Sequence, residues 1–73
     1  MDEKMDVLLR FGQRVRERRT TLGLSQEAFA GRCKLDRTYI SGIERGKRNV
    51  ALRNIAAMAN ALGITMAELV KGI

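Results

Sequence analysis

From residue 6 onward, apolar positions recur every three or four residues, the spacing of helices that bury one face. The first stripe joins Val7, Leu8, Phe11, Val15 and Leu22. Asp6 stands where it can cap this helix, and Gly23 supplies the left-handed residue that ends it. Arg10, Arg14 and Arg16 lie off the stripe, while Arg18 and Arg19 flank it. Arg14, Arg16 and Arg18, with Glu17 among them, read as a solvated charged face rather than as phosphate contacts.

Three later helices open in one way. Leu24-Ser25 is followed by Phe29, Leu35-Asp36 by Ile40, and Ile64-Thr65 by Leu69. Each sets a capping residue between apolar N′ and N4 positions, the pattern of a hydrophobic staple, and Thr65 with Glu68 adds a capping box. The pattern predicts a second helix over about Ser25 to Cys33, with Phe29, Ala30 and Cys33 inward. A third runs over about Asp36 to Arg45, with Ile40 and Ile43 inward, and Gly46 ends it. Only Lys34 and Leu35 lie between the two, so the chain turns sharply there. A fourth helix from about Leu52 gathers Leu52, Ile55, Ala56, Ala59 and Leu62 on one face and stops at Gly63. Ala51 takes its capping position, so that start either frays or borrows Asn49. A short fifth helix has Met66, Leu69, Val70 and Ile73 as its apolar side. Residues 1–5 are expected to form a flexible tail, and residues 6–73 a single folded unit.

Composition supports the all-α reading, since there is no proline and aromatics make up only 4% of the 73 residues. Cys33 is the lone cysteine and histidine is absent, so neither an intramolecular disulfide, a metal-ligand set nor a Cys–His pair can be assembled. On the inward face of its helix, Cys33 reads as a small hydrophobe. No two acids share a face and no glycine-rich phosphate loop follows a strand, so catalysis has nothing to build on, and no enzyme, cofactor or metal is expected. The longest apolar run, Ile55 to Ile64, is interrupted by Asn60 and too short to span a bilayer, and the acidic start lacks the marks of a signal peptide. A cytoplasmic setting, without a membrane partner, is therefore expected.

Net charge is +6, unevenly placed. Residues 1–9 carry a net −2, whereas residues 10–53 hold twelve Lys/Arg against four acids, a net +8. That basic middle is the footprint of a polyanion binder, though a solvated basic surface accounts for the charge equally well. The third helix decides between them. At 100° per residue from Arg37, residues Ser41, Arg45, Thr38 and Gly42 fall at roughly 40°, 80°, 100° and 140°, while Tyr39, Ile43 and Ile40 lie near 200°, 240° and 300°. One face is small, polar and fringed by arginine, as a helix entering the major groove requires. Arg37 can fork onto guanine, Thr38 can meet a base edge or a thymine methyl, and Ser41 and Gly42 permit close approach.

Leu22-Gly-Leu-Ser-Gln26, Phe29-Ala30, Tyr39-Ile-Ser-Gly-Ile-Glu-Arg-Gly46 and Ile55-Ala56 with Ala61-Leu-Gly63 together resemble the Cro/phage-repressor (XRE-like) helix-turn-helix family over roughly residues 7–73. Leu35 to Arg45 most resembles the controller proteins of restriction–modification systems. The resemblance implies a five-helix lambda-repressor-like DNA-binding domain with its helix-turn-helix at about 25–45, acting in transcription regulation as a homodimer on a palindromic operator. It implies base readout by Arg37, Thr38, Ser41 and Gly42, with specificity resting mainly on the first two. Ser25 and Gln26 at the second helix would meet the DNA backbone, with Arg45, Lys47, Arg48 and Asn49 gripping it from the loop beyond the third. Tyr39 either directs its hydroxyl to phosphate or is simply packed. Glu44 would repel phosphate; the resemblance implies instead a structural ion pair with Arg19. The acidic tail is unlike a DNA-wrapping basic arm.

One helix-turn-helix reads too few base pairs to single out an operator, which is why such modules work in two-fold pairs. The expected dimer interface is Ile64, Met66, Leu69, Val70 and Ile73, some of which, Leu69 foremost, serve the monomer core instead. A contact with RNA polymerase is open to such a regulator. The competing reading is an antitoxin or adaptor that holds a protein through the same apolar edge. RNA binding lacks an aromatic stacking platform, since Phe11 and Phe29 point inward.

Overall fold

The computed structural model describes residues 6–73; the expectation of a flexible tail over residues 1–5 lies outside them. Five helices follow in order: α1 (Val7–Thr21), α2 (Gln26–Cys33), α3 (Arg37–Glu44), α4 (Leu52–Leu62) and α5 (Met66–Val70). No strand occurs among the described residues.

The caps explain the starts. Asp6 Oδ2 accepts from the Leu8 amide at 2.9 Å, Ser25 Oγ from the Ala28 amide at 3.0 Å, and Asp36 Oδ2 from the Thr38 amide at 2.9 Å. At α5, the Glu68 amide donates to Thr65 Oγ1 at 3.0 Å and the Thr65 amide to Glu68 Oε1 at 2.8 Å, a complete capping box. Those bonds hold the Glu68 carboxyl below its usual range. Leu24, Leu35 and Ile64, the N′ residues of the three staples, pack half-buried against the core beneath. Ala51 gives α4 no side-chain cap and Asn49 does not replace it, so that start is closed by backbone alone, the Ala51 carbonyl accepting from the Asn54 amide at 3.0 Å and the Ile55 amide at 3.1 Å.

The stops are built by backbone. After α1 the Leu24 amide donates to Arg19 O at 3.1 Å and the Gly23 amide to Thr20 O at 2.9 Å, a Schellman closure with Gly23 at φ +72°. The same closure ends α2, where Leu35 N reaches Ala30 O at 2.9 Å, but here the left-handed position is Lys34, at φ +60°. A β-carbon in this region opposes the following carbonyl, a strain that glycine avoids.

The core is one cluster in which Val15, Phe29, Ile40, Met58 and Leu69 are fully excluded from solvent. Burying each such side chain contributes roughly 1.5–3 kcal/mol. Two stripes differ from the sequence reading. Val7 and Leu22, at the two ends of α1, are half exposed, because the inward face of that helix turns through Phe11, Gly12, Val15 and Arg19 instead. In α4, Leu52 (71% exposed) and Ala56 point outward, and the inward line is Ile55, Met58, Ala59 and Leu62. Gly12 marks a close crossing of helices: a β-carbon there would lie 2.1 Å from Ile43 O, so α1 and α3 meet backbone to backbone.

Candidate nucleic-acid interface

The back of α3 is locked. Ile40 and Ile43 lie in the core, and Glu44 is buried in the last turn. Arg19 meets the carboxylate as a fork, Nε to Oε2 at 2.7 Å and Nη2 to Oε1 at 2.9 Å, with side chains only 11% and 4% exposed. Its remaining Nη1 donates to Leu24 O at 2.8 Å, and Gln26 Nε2 donates to Glu44 Oε1 at 3.1 Å. One carboxylate thus ties α1, the entry of α2 and α3 together. Hydrogen bonding to Glu44 holds the Arg19 guanidinium above its ordinary value, more than offsetting burial. No buried side-chain nitrogen or oxygen among the described residues is left without a partner.

The front of α3 is free at its N-terminal end. Arg37 and Thr38 are exposed, with side chains that make no hydrogen bond among the described residues, and Ser41 is half-buried one turn on. Gly42 departs from the expected arrangement. It is buried, and a β-carbon on it would meet Arg48 Cγ at 3.1 Å and Nε at 3.3 Å. The Arg48 side chain lies across Gly42, so position 42 supports an arginine rather than offering bare backbone to a ligand.

Arg48 continues over the Tyr39 ring, its Cζ 5.5 Å from the centroid, in a cation–π arrangement. The half-buried Tyr39 hydroxyl accepts from Asn54 Nδ2 at 3.0 Å. Because that bond uses a lone pair, the phenolic hydrogen remains to be donated outward. Arg45 folds back on its own helix, Nε to Ser41 O at 3.3 Å, and stays exposed with Lys47, Arg48 and Asn49. Ser25 is exposed at the α2 N-terminus, where its hydroxyl is engaged by the Ala28 amide, whereas the Gln26 amide is half-buried and committed to Glu44. Buried Cys33 lies behind this surface, its thiol pushed up to about 11 by desolvation, a core residue rather than a nucleophile.

Of the five residues expected at a dimer interface, Leu69 is excluded: as the N4 residue of its staple it is wholly buried. Ile64, Met66 and Ile73 are half-buried against the core, and Val70 is exposed. Val70 and Ile73 instead line an apolar groove of about 340 Å³ together with Val7, Leu8 and Phe11 of α1, Ile55 of α4, and Asn49 and Val50 of the loop before it. Arg14, expected on a solvated face, and Arg10, expected off the apolar stripe, are both engaged here. Arg14 donates to carbonyls at the end of α5, and Arg10 to Gly72 O. Their i, i+4 spacing was the available signal, but the acceptors are backbone atoms that carry no sequence mark.

Among the described residues no group of acids and cysteine is placed to hold a metal, and no helix is long and apolar enough to cross a membrane. A capped α2, a three-residue turn over Lys34, Leu35 and Asp36, an α3 locked behind and open in front, and a basic loop together define a helix-turn-helix. The family model described as Helix-turn-helix matches residues 15–69, and the chain belongs to the helix-turn-helix family of DNA-binding transcriptional regulators. Within it the similarity runs to control proteins. The chain is 48% identical over 69 residues to Control protein C.MunI of a Mycoplasma species (93% of each chain) and 49% identical over 65 residues to Control protein C.BamHI of Bacillus amyloliquefaciens (88% of this chain, 80% of that one). The crystal structure of the restriction–modification controller protein C.AhdI from Aeromonas hydrophila superposes with a TM-score of 0.83 at 56% identity, covering 85% of this chain and 94% of that one.

Proposed function

We propose that the chain is a controller-type regulator that binds a palindromic operator next to a promoter as a homodimer, each copy laying α3 in one major groove. The observation that carries this is the two-sidedness of α3: Arg37 and Thr38 stand free at one end, while the Glu44–Arg19–Gln26 network fixes the helix from behind. Arg37 takes a guanine by its O6 and N7, and Thr38 a neighbouring base edge. The Tyr39 hydroxyl, already oriented by Asn54, donates to phosphate, and Lys47, Arg48 and Asn49 grip the backbone on the same side. The groove bounded by Val7 and Val70 receives the second copy. Asn49 belongs both to its lining and to the basic loop, which would join dimer geometry to DNA register. Such a regulator resides on the chromosome, within reach of RNA polymerase.

The test is a selection of bound duplexes from a random pool, followed by titration of the selected operator across a salt series. Arg37→Ala should cost about 1–3 kcal/mol and relax preference at one or two base pairs. Lys47→Ala should weaken all duplexes alike and lower the slope of log K against log salt by about one. Equal effects of the two on sequence preference would overturn the assignment of roles.

A further inference from the structure

Helix α5 has only five residues, so the carbonyls of its last turn have no helical partners of their own. Within the segment the closures are Lys71 N to Glu68 O, at a long 3.4 Å, and Ile73 N to Val70 O at 2.9 Å. The missing donors come from α1, more than fifty residues away. Arg14 Nη1 reaches Glu68 O at 3.2 Å and Leu69 O at 3.1 Å, and Arg14 Nη2 reaches Lys71 O at 2.9 Å. Arg10, one turn earlier on the same face, bonds to Gly72 O. A cation at a helix C-terminus is also favoured by the dipole.

Helix α1 thereby supplies two things at once. Its first two turns line the apolar groove through Val7, Leu8 and Phe11, and its arginines hold the segment that lines the same groove through Val70 and Ile73. Leu69 fixes depth, being buried in the core, and Ile64, Met66 and Ile73 pack half-buried around it. The three Arg14 contacts add a direct tie from α1 to the backbone at the end of α5.

We infer that Arg14, seconded by Arg10, is a positioning residue for self-association: by capping α5 from α1 it sets the width of the groove into which the second copy docks. The inference rests on the dimer reading above. It assigns these arginines no contact with DNA.

The experiment compares wild type, Arg14→Gln and Arg14→Lys by sedimentation equilibrium, and by binding to the selected operator and to a duplex carrying one half-site. Arg14→Gln should raise the dimer dissociation constant about tenfold or more, while half-site affinity stays within about twofold of wild type. Operator affinity should fall with the dimer while half-site affinity holds, whereas a merely less stable fold would lower both. Arg14→Lys, which keeps the charge but cannot span three carbonyls, should fall between, and it carries the test if Arg14→Gln does not fold. A dimeric wild type whose dissociation constant is unchanged in the variant overturns the role of Arg14 alone. A wild type that stays monomeric overturns the dimer reading and this inference with it.

Discussion

Arg19 and Arg14 lie five residues apart on α1 and each ties that helix to another, but by different means. Arg19 spends its guanidinium on a buried carboxylate and the Leu24 carbonyl, holding α3 to α1 at the point where Gly12 lets the backbones touch. Arg14 works at a half-exposed edge and engages only backbone carbonyls of the last residues of α5 and beyond. The first join is costly to break, because removing one partner strands a charge in a low-dielectric site. In the second, water can replace the arginine at little cost, so what it contributes is direction rather than stability. The helix proposed to read DNA is the one held by the costly join.

Denaturation of variants tests that contrast. Arg19→Met leaves Glu44 buried with only Gln26 and should lose about 3–5 kcal/mol, against about 1 kcal/mol for Arg14→Gln. Similar losses would mean the two joins are energetically alike. Gly12→Ala forces a methyl group against the Ile43 carbonyl and should lose about 1–3 kcal/mol, with the damage centred on α1 and α3 in hydrogen exchange while α5 keeps its protection. The smallest effect has the opposite sign. Lys34→Gly relieves the left-handed strain in the turn before α3 and should gain up to about 1 kcal/mol in chemical denaturation, with sequence preference unchanged. A loss would show that the Lys34 side chain does something its exposed position does not suggest.

The sequence made the helix starts legible because capping and stapling are local: Ser25, Asp36 and Thr65 lie within five residues of everything that reveals them. Gly23, Gly46 and Gly63 marked the stops for the same reason. Lys34 was invisible as a left-handed residue, since nothing in a lysine announces positive φ. In α4, Leu52 fits the apolar stripe in sequence but sits beyond the core's edge, whereas Met58, off that stripe, closes the inner face. Arg19 and Glu44 pair across twenty-five residues, and only family resemblance suggested the pairing. Resemblance offered nothing for Arg14 or Asn54. The partners of Arg14 are carbonyls, and that of Asn54 is a tyrosine whose ring had to be placed before its hydroxyl could be.

Gly42 and Arg48 behave as one unit, with a consequence for redesign. Any side chain introduced at position 42 takes the space in which the Arg48 stem lies, and so displaces an arginine that also rests on Tyr39. A library meant to retarget this domain by varying α3 alone would therefore alter the loop beyond it without intending to. Varying 42 and 48 together would separate the alphabet of base readers from the grip that holds them to the duplex.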